Sequence, residues 1–107
     1  MDVGSGSVLY CGVFVAESRR SVTIVNDLGL HARAASKLVQ LASKYSVEVT
    51  IGREDMMVNA KSIMGVLMLA ASKGTELAVV ASGDDKDADA AVDALVGLIA
   101  DRFGEGT

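Results

Sequence analysis

The stretch "SVTIVNDLGLHARAASKLVQLASKYSVEVTI", Ser21–Ile51, decides how this chain folds. It opens on a β-branched run, Ser21–Asn26, that reads as a strand. From His31 to Tyr45 the period changes, and Ala35, Leu38, Val39, Ala42 and Tyr45 fall on one helical face. Arg33, Lys37, Gln40 and Lys44 lie largely elsewhere on that helix. Alternation then returns, with Val47, Val49 and Ile51 as the inward positions of another strand. Strand, helix and strand in about thirty residues make a compact unit with an apolar face on each element.

The same grammar continues outward. The turn "GRED" leads to "MMVNA", Met56–Ala60, and predicts a hairpin. "KSIMGVLMLAASKG", Lys61–Gly74, predicts a short helix with Ser62 as N-cap and Gly74 as its C-terminal stop. "ELAVVASG", Glu76–Gly83, is a strand with Leu77, Val79 and Ala81 on one face. "DDKDADAAVDALVGLIADRFG", Asp84–Gly104, predicts the longest helix: its acids sit where the helix dipole favours them, and Val92, Leu95, Leu98, Ile99 and Phe103 line a stripe before Gly104 ends it. The order β-α-β-β-α-β-α implies an α+β open-faced two-layer β-sandwich, with a four-stranded, largely antiparallel sheet and three helices on one face. Residues 1–20 read as an N-terminal extension, flexible at Gly4–Ser7 and strand-like over Val8–Val15. Residues 21–103 form the domain, and 104–107 a C-terminal tail.

Composition narrows the function. The chain has 107 residues, half of them apolar but with no Trp, so the core is built from Val, Leu, Ile, Ala and Met. A net charge of −4 argues against nucleic acid as a partner, and no apolar run reaches the ~20 residues of a membrane span. Cys11 stands alone, which excludes an internal disulfide and a cysteine-based metal site. No cluster of metal ligands is visible either, so neither metal nor other cofactor is expected. The first residues make a poor signal peptide, and the cytoplasm is the expected compartment.

His31, the only histidine, stands where the loop enters the first helix, after the flexible Gly29. The first backbone N–H groups of that helix, on Ala32, Arg33 and Ala34, have no intrahelical acceptor and form an anion site with the dipole. Arg33 adds a guanidinium shaped to grip phosphate oxygens in pairs. A helix terminus of this kind disfavours an imidazolium and leaves a nucleophilic ring nitrogen. A phosphoryl group on that ring would meet free donors and a fixed positive charge. Phosphoryl chemistry on a substrate also calls for a metal and a base; a carrier loaded and unloaded by other proteins fits better than a self-sufficient catalyst.

"LGLHARAAS" resembles the phosphorylation-site signature of the HPr family, the histidine-containing phosphocarriers of the bacterial phosphoenolpyruvate-dependent phosphotransferase system. "VNAKSIMGVLMLAASKGTEL" is similar to that family's regulatory-serine segment, and the resemblance spans about Ser21 to Phe103. It implies that His31 is phosphorylated on Nδ1, with Arg33 assisting the phosphoryl group. The implied donor is enzyme I charged by phosphoenolpyruvate, and the implied acceptor an enzyme IIA domain. Ser62 matches the serine modified by HPr kinase/phosphorylase, although an N-cap role accounts for it as well. Where many members carry proline this chain has Ala34, which preserves the helix and restores one N–H donor. Ile63, Met64, Leu67 and Met68, with Lys37, are expected to form a partner-docking patch on a monomer.

Two other readings compete. One is a regulatory binding module governed by Ser62 with little phosphotransfer, against which the intact "GLHAR" speaks. The other, a metal-dependent hydrolase, lacks ligands. Sugar uptake and a nitrogen-related or otherwise regulatory branch of the system are equally compatible with the carrier reading.

Overall fold

Alternation over Glu76–Gly83, the fifth and last of the described strands (β5), organises the molecule. In the computed structural model, which describes residues 7–10, 13–53 and 55–105, Glu76–Gly83 is a central strand burying Leu77, Val79 and Ala81. It pairs antiparallel with Val13–Thr23 on one side and Glu48–Arg53 on the other. Numbered along the chain, the strands are β1 (Ser7–Tyr10), β2 (Val13–Thr23), β3 (Glu48–Arg53), β4 (Met56–Asn59) and β5; the helices are α1 (Ala32–Ala42), α2 (Ile63–Met68) and α3 (Asp85–Ala100). The sheet order is β1-β2-β5-β3-β4, antiparallel throughout. The expected four-stranded sheet is therefore present as β2-β5-β3-β4, and β1 adds a fifth strand at its edge.

Register fixes which side chains meet the helices. Val49 stands opposite Ala81 and Ile51 opposite Val79, so the inward positions of β3 and β5 form one apolar surface. Leu38 from α1, with Val92, Leu95 and Ile99 from α3, packs into the same fully buried core. Each such side chain contributes roughly 1.5–3 kcal/mol by burial. Leu98, expected in the α3 stripe, is only half-buried; Ala88 and Ala91, not expected there, are fully buried.

Several boundaries differ from the sequence reading, among them the end of α1 at Ala42, which leaves Tyr45, expected on its face, beyond the helix. The strand expected at Ser21–Asn26 instead ends at Thr23 and begins at Val13, so Glu17–Arg20 of the extension already lie in the ladder with β5. Beyond Thr23 the backbone turns to another partner: Ile24 donates to the Thr75 carbonyl at 2.9 Å and accepts from Gly74 N–H at 2.8 Å. Gly74 accordingly does not stop α2, which ends at Met68. Its φ of +92° serves the turn before β5. Finally α3 stops at Ala100 rather than Gly104, and Arg102–Gly104 form a separate 3₁₀ turn. The flexibility expected at Gly4–Gly6, and Cys11, lie outside the described residues. Among the described residues no helix is long and apolar enough to cross a membrane.

Candidate functional site

Gly29 sets the approach to His31. Its φ is +66°, a left-handed conformation, and a Cβ there would lie 2.6 Å from the Ala71 carbonyl oxygen. The neighbouring Leu30 N–H donates to that same carbonyl at 2.9 Å. The loop is thus pressed against the segment before β5, which delivers the chain to α1 at a fixed angle. His31 takes the N-cap position with extended backbone, φ −79° and ψ 178°, but its side chain makes no capping hydrogen bond. Among the described residues the N–H groups of Ala32, Arg33 and Ala34 have no acceptor, and no acid occupies the first turn. The helix mouth therefore presents uncompensated donors.

The imidazole goes elsewhere. Its Nε2 meets Oε2 of Glu105, 74 residues away in sequence. The other carboxylate oxygen, Oε1, accepts from Asn26 Nδ2 at 2.9 Å. Asn26 is fully buried, and the same Nδ2 donates to the Gly29 carbonyl at 2.9 Å. Reversing that amide would set its oxygen against two acceptors, so the orientation is fixed. Burial alone would raise the pKa of Glu105, but donors on His31 and Asn26, with the charge of Lys37, more than reverse this and hold the carboxyl below the usual range.

Glu105 reaches His31 because the chain after α3 turns left-handed. Arg102, Phe103 and Gly104 have φ of +57°, +53° and +74°. For the two residues that are not glycine this costs roughly 1–2 kcal/mol each. Phe103, fully buried, offsets a comparable amount by burial. Lys37 Nζ donates to the Phe103 carbonyl at 2.7 Å and ties the turn to α1.

The sequence that carries this histidine matches known proteins. The family model described as "PTS HPr component phosphorylation site" matches residues 18–101. The chain belongs to the HPr family. The phosphocarrier protein HPr of Cupriavidus necator is 51% identical over 88 residues, covering 82% of this chain and 97% of that one. The HPr of Pseudomonas aeruginosa is 51% identical over 86 residues, 79% and 93% of the two chains. Among solved structures, HPr from Thermoanaerobacter tengcongensis superposes with a TM-score of 0.76 at 43% identity, covering 82% of this chain and 97% of that one. Members of the HPr family are phosphocarriers of the phosphotransferase system rather than enzymes in their own right.

The other residues expected of an HPr family member fall into three groups. Arg33 is exposed, two residues after His31 in the sequence, and joins no salt bridge among the described residues. Ser62 does cap α2: its Oγ accepts from Gly65 N–H at 3.1 Å. Met64 and Met68 are about two-thirds or more exposed, at 72% and 66%, and Ile63 is 44% exposed, whereas Leu67 is half-buried against the core. Leu28, 69% exposed in the loop before His31, was not anticipated. Lys37, expected among the docking residues, is half-buried with its ammonium on Phe103. Glu105 and Asn26 were missed as well. The acid after "RFG" carries no periodic signal, and Asn26 reads from sequence as the last residue of a strand.

Proposed function

We propose that the chain accepts a phosphoryl group on Nδ1 of His31 from phosphoenolpyruvate-charged enzyme I and passes it to an enzyme IIA domain. The observation that carries this reading is the state of the ring. Nε2 is engaged by Glu105, while Nδ1 has no partner among the described residues, beside an uncapped helix mouth. A phosphoryl group on Nδ1 carries its negative charge toward helix donors that have no acceptor among the described residues. Arg33 supplies the paired N–H groups that suit phosphate oxygens. The exposed Ile63, Met64 and Met68 supply an adaptable apolar surface against which both partners dock in turn. The cytoplasm, where phosphoenolpyruvate is available, is the compartment this reading requires.

The test is intact mass after incubation with phosphoenolpyruvate and purified enzyme I. One added phosphoryl group is expected, lost on acid treatment and absent in His31→Ala. Full loading of His31→Ala would sink the proposal.

A further inference from the structure

Glu105 lies beyond the region matched by the family model, which ends at residue 101, so its role has to be read from its contacts. Three observations converge on it. Its carboxylate is nearly covered, with 9% of the side chain exposed. A left-handed turn of two non-glycine residues, locked by Phe103 and Lys37, delivers it to one nitrogen of one ring. Its second oxygen is keyed by a buried asparagine whose orientation is fixed by the Gly29 carbonyl. We propose that Glu105 is a positioning residue that selects Nδ1 of His31 as the nucleophile, by accepting the Nε2–H proton and so fixing the tautomer with its lone pair on Nδ1.

This inference rests on His31 being the phosphoryl acceptor, and it states how the ring is prepared. A carboxylate has no proton to give, so the nitrogen facing it carries the hydrogen. Asn26 Nδ2, an obligate donor, faces the other oxygen and cannot substitute for the ring. In the transfer step the Nδ1 lone pair attacks phosphorus. The N–P bond forms as the bond from phosphorus to the donor breaks, and that electron pair leaves with the donor. The Nε2 proton stays in place, the ring becomes cationic, and the Glu105 carboxylate faces the new charge. The open helix donors and the exposed Arg33 guanidinium are left to meet the phosphoryl group, while Glu105 holds the opposite nitrogen of the ring.

Glu105→Gln provides the sharp test, because the isosteric side chain must aim its amide nitrogen at one of two donors. Asn26 cannot change; the imidazole can, by moving its proton to Nδ1. The glutamine therefore places its oxygen on Asn26 and its NH₂ on Nε2, which removes the Nδ1 lone pair. Ring ¹⁵N–¹H spectra of wild type, Glu105→Gln and Glu105→Ala, taken alkaline enough for a neutral ring, read the tautomer without any partner protein. Reaction with phosphoramidate, a small phosphoryl donor, reads the reactivity of Nδ1 directly. The expected order of Nδ1 reactivity is wild type, then Ala, then Gln, with at least about a tenfold loss in Glu105→Gln. A merely structural role predicts the reverse order of the two variants, since glutamine keeps the shape. Glu105→Gln with its proton on Nε2 and wild-type reactivity at Nδ1 overturns the proposal. Wild type that reacts at Nδ1 with phosphoramidate but is never loaded by enzyme I removes the carrier reading and supports this one.

Discussion

The first turns of α1 and α2 have opposite designs. At α2, Ser62 folds its hydroxyl over the helix mouth and satisfies Gly65 N–H. At α1, His31 occupies the same N-cap position, yet its ring points to the C-terminal turn and leaves the helix donors open. The third helix resembles α2, with Asp84 accepting from Lys86 N–H at 3.1 Å. A capping oxygen is worth about 1 kcal/mol. Of the three α-helices among the described residues, only α1, which carries the family's phosphorylation motif, forgoes it. The mouth stays open, and the side chain at its N-cap is held instead from outside the helix, by Glu105 on Nε2 of the ring. The caps of α2 and α3 are local, made within three residues; the arrangement at α1 depends on tertiary structure.

The largest expected effect breaks that dependence. Phe103→Ala empties a fully buried site and removes what compensates the left-handed turn, so it should cost about 3–5 kcal/mol in a urea titration. The His31–Glu105 contact should loosen with it, visible as faster exchange of the ring Nε2–H. A loss under about 1 kcal/mol would mean the turn stands without its anchor, and the contrast between α1 and α2 would then be one of local sequence only.

How much of this was legible follows from the same contrast. Period-two and period-3.6 patterns placed β3, β5, α1 and α3 well, because Val49, Ile51, Val79, Leu38, Leu95 and Ile99 face the core through local geometry. Ser62 was legible as a cap for the same reason: its partner is three residues away. Phe103 was assigned to the right core by the wrong route. It falls four residues after Ile99, so it reads as the next helical position, but α3 has already ended and the ring is buried through the left-handed turn. Glu105 is 74 residues from His31 in the chain, and no local pattern encodes a contact of that span. The uncapped helix mouth was therefore readable, while the carboxylate that meets the ring was not.

Two smaller substitutions sharpen the comparison from each side. Ser62→Ala opens the closed mouth and should lower stability by about 0.5–2 kcal/mol in the same denaturation assay, without changing the capacity of His31 to be loaded. Ser62→Asp should keep the cap and slow loading, through negative charge beside the docking patch; an unchanged rate would confine Ser62 to capping. Conversely, His31→Ser supplies the missing cap at α1. It should be more stable than His31→Ala by about 1 kcal/mol, and neither variant should take up phosphate as acid-labile phosphohistidine. Equal stabilities would show that the loop geometry around Gly29 keeps any side chain at residue 31 from reaching the helix donors.

The smallest effect concerns pH. The Glu105 carboxyl is held below the ordinary carboxylate value by hydrogen bonds and charge that exceed the effect of its burial. A depressed folded pKa contributes stability that is fully present above the unfolded value, about 4.3 for glutamate, and is lost as pH falls through the lower folded value. The tail should therefore stay on His31 throughout the neutral range and release only in acid. Carboxyl ¹³C titration of Glu105 should give a midpoint below the ordinary value in wild type and a higher one in His31→Ala. An unmoved midpoint would assign the depression to Asn26 and Lys37 alone. If the midpoint does move, the contact is constant throughout the neutral range, which makes it a fixed part of the site and not a pH switch: the ring at the α1 N-cap keeps its distant carboxylate while the helix donors beside it stay open, where α2 has closed its own with a serine.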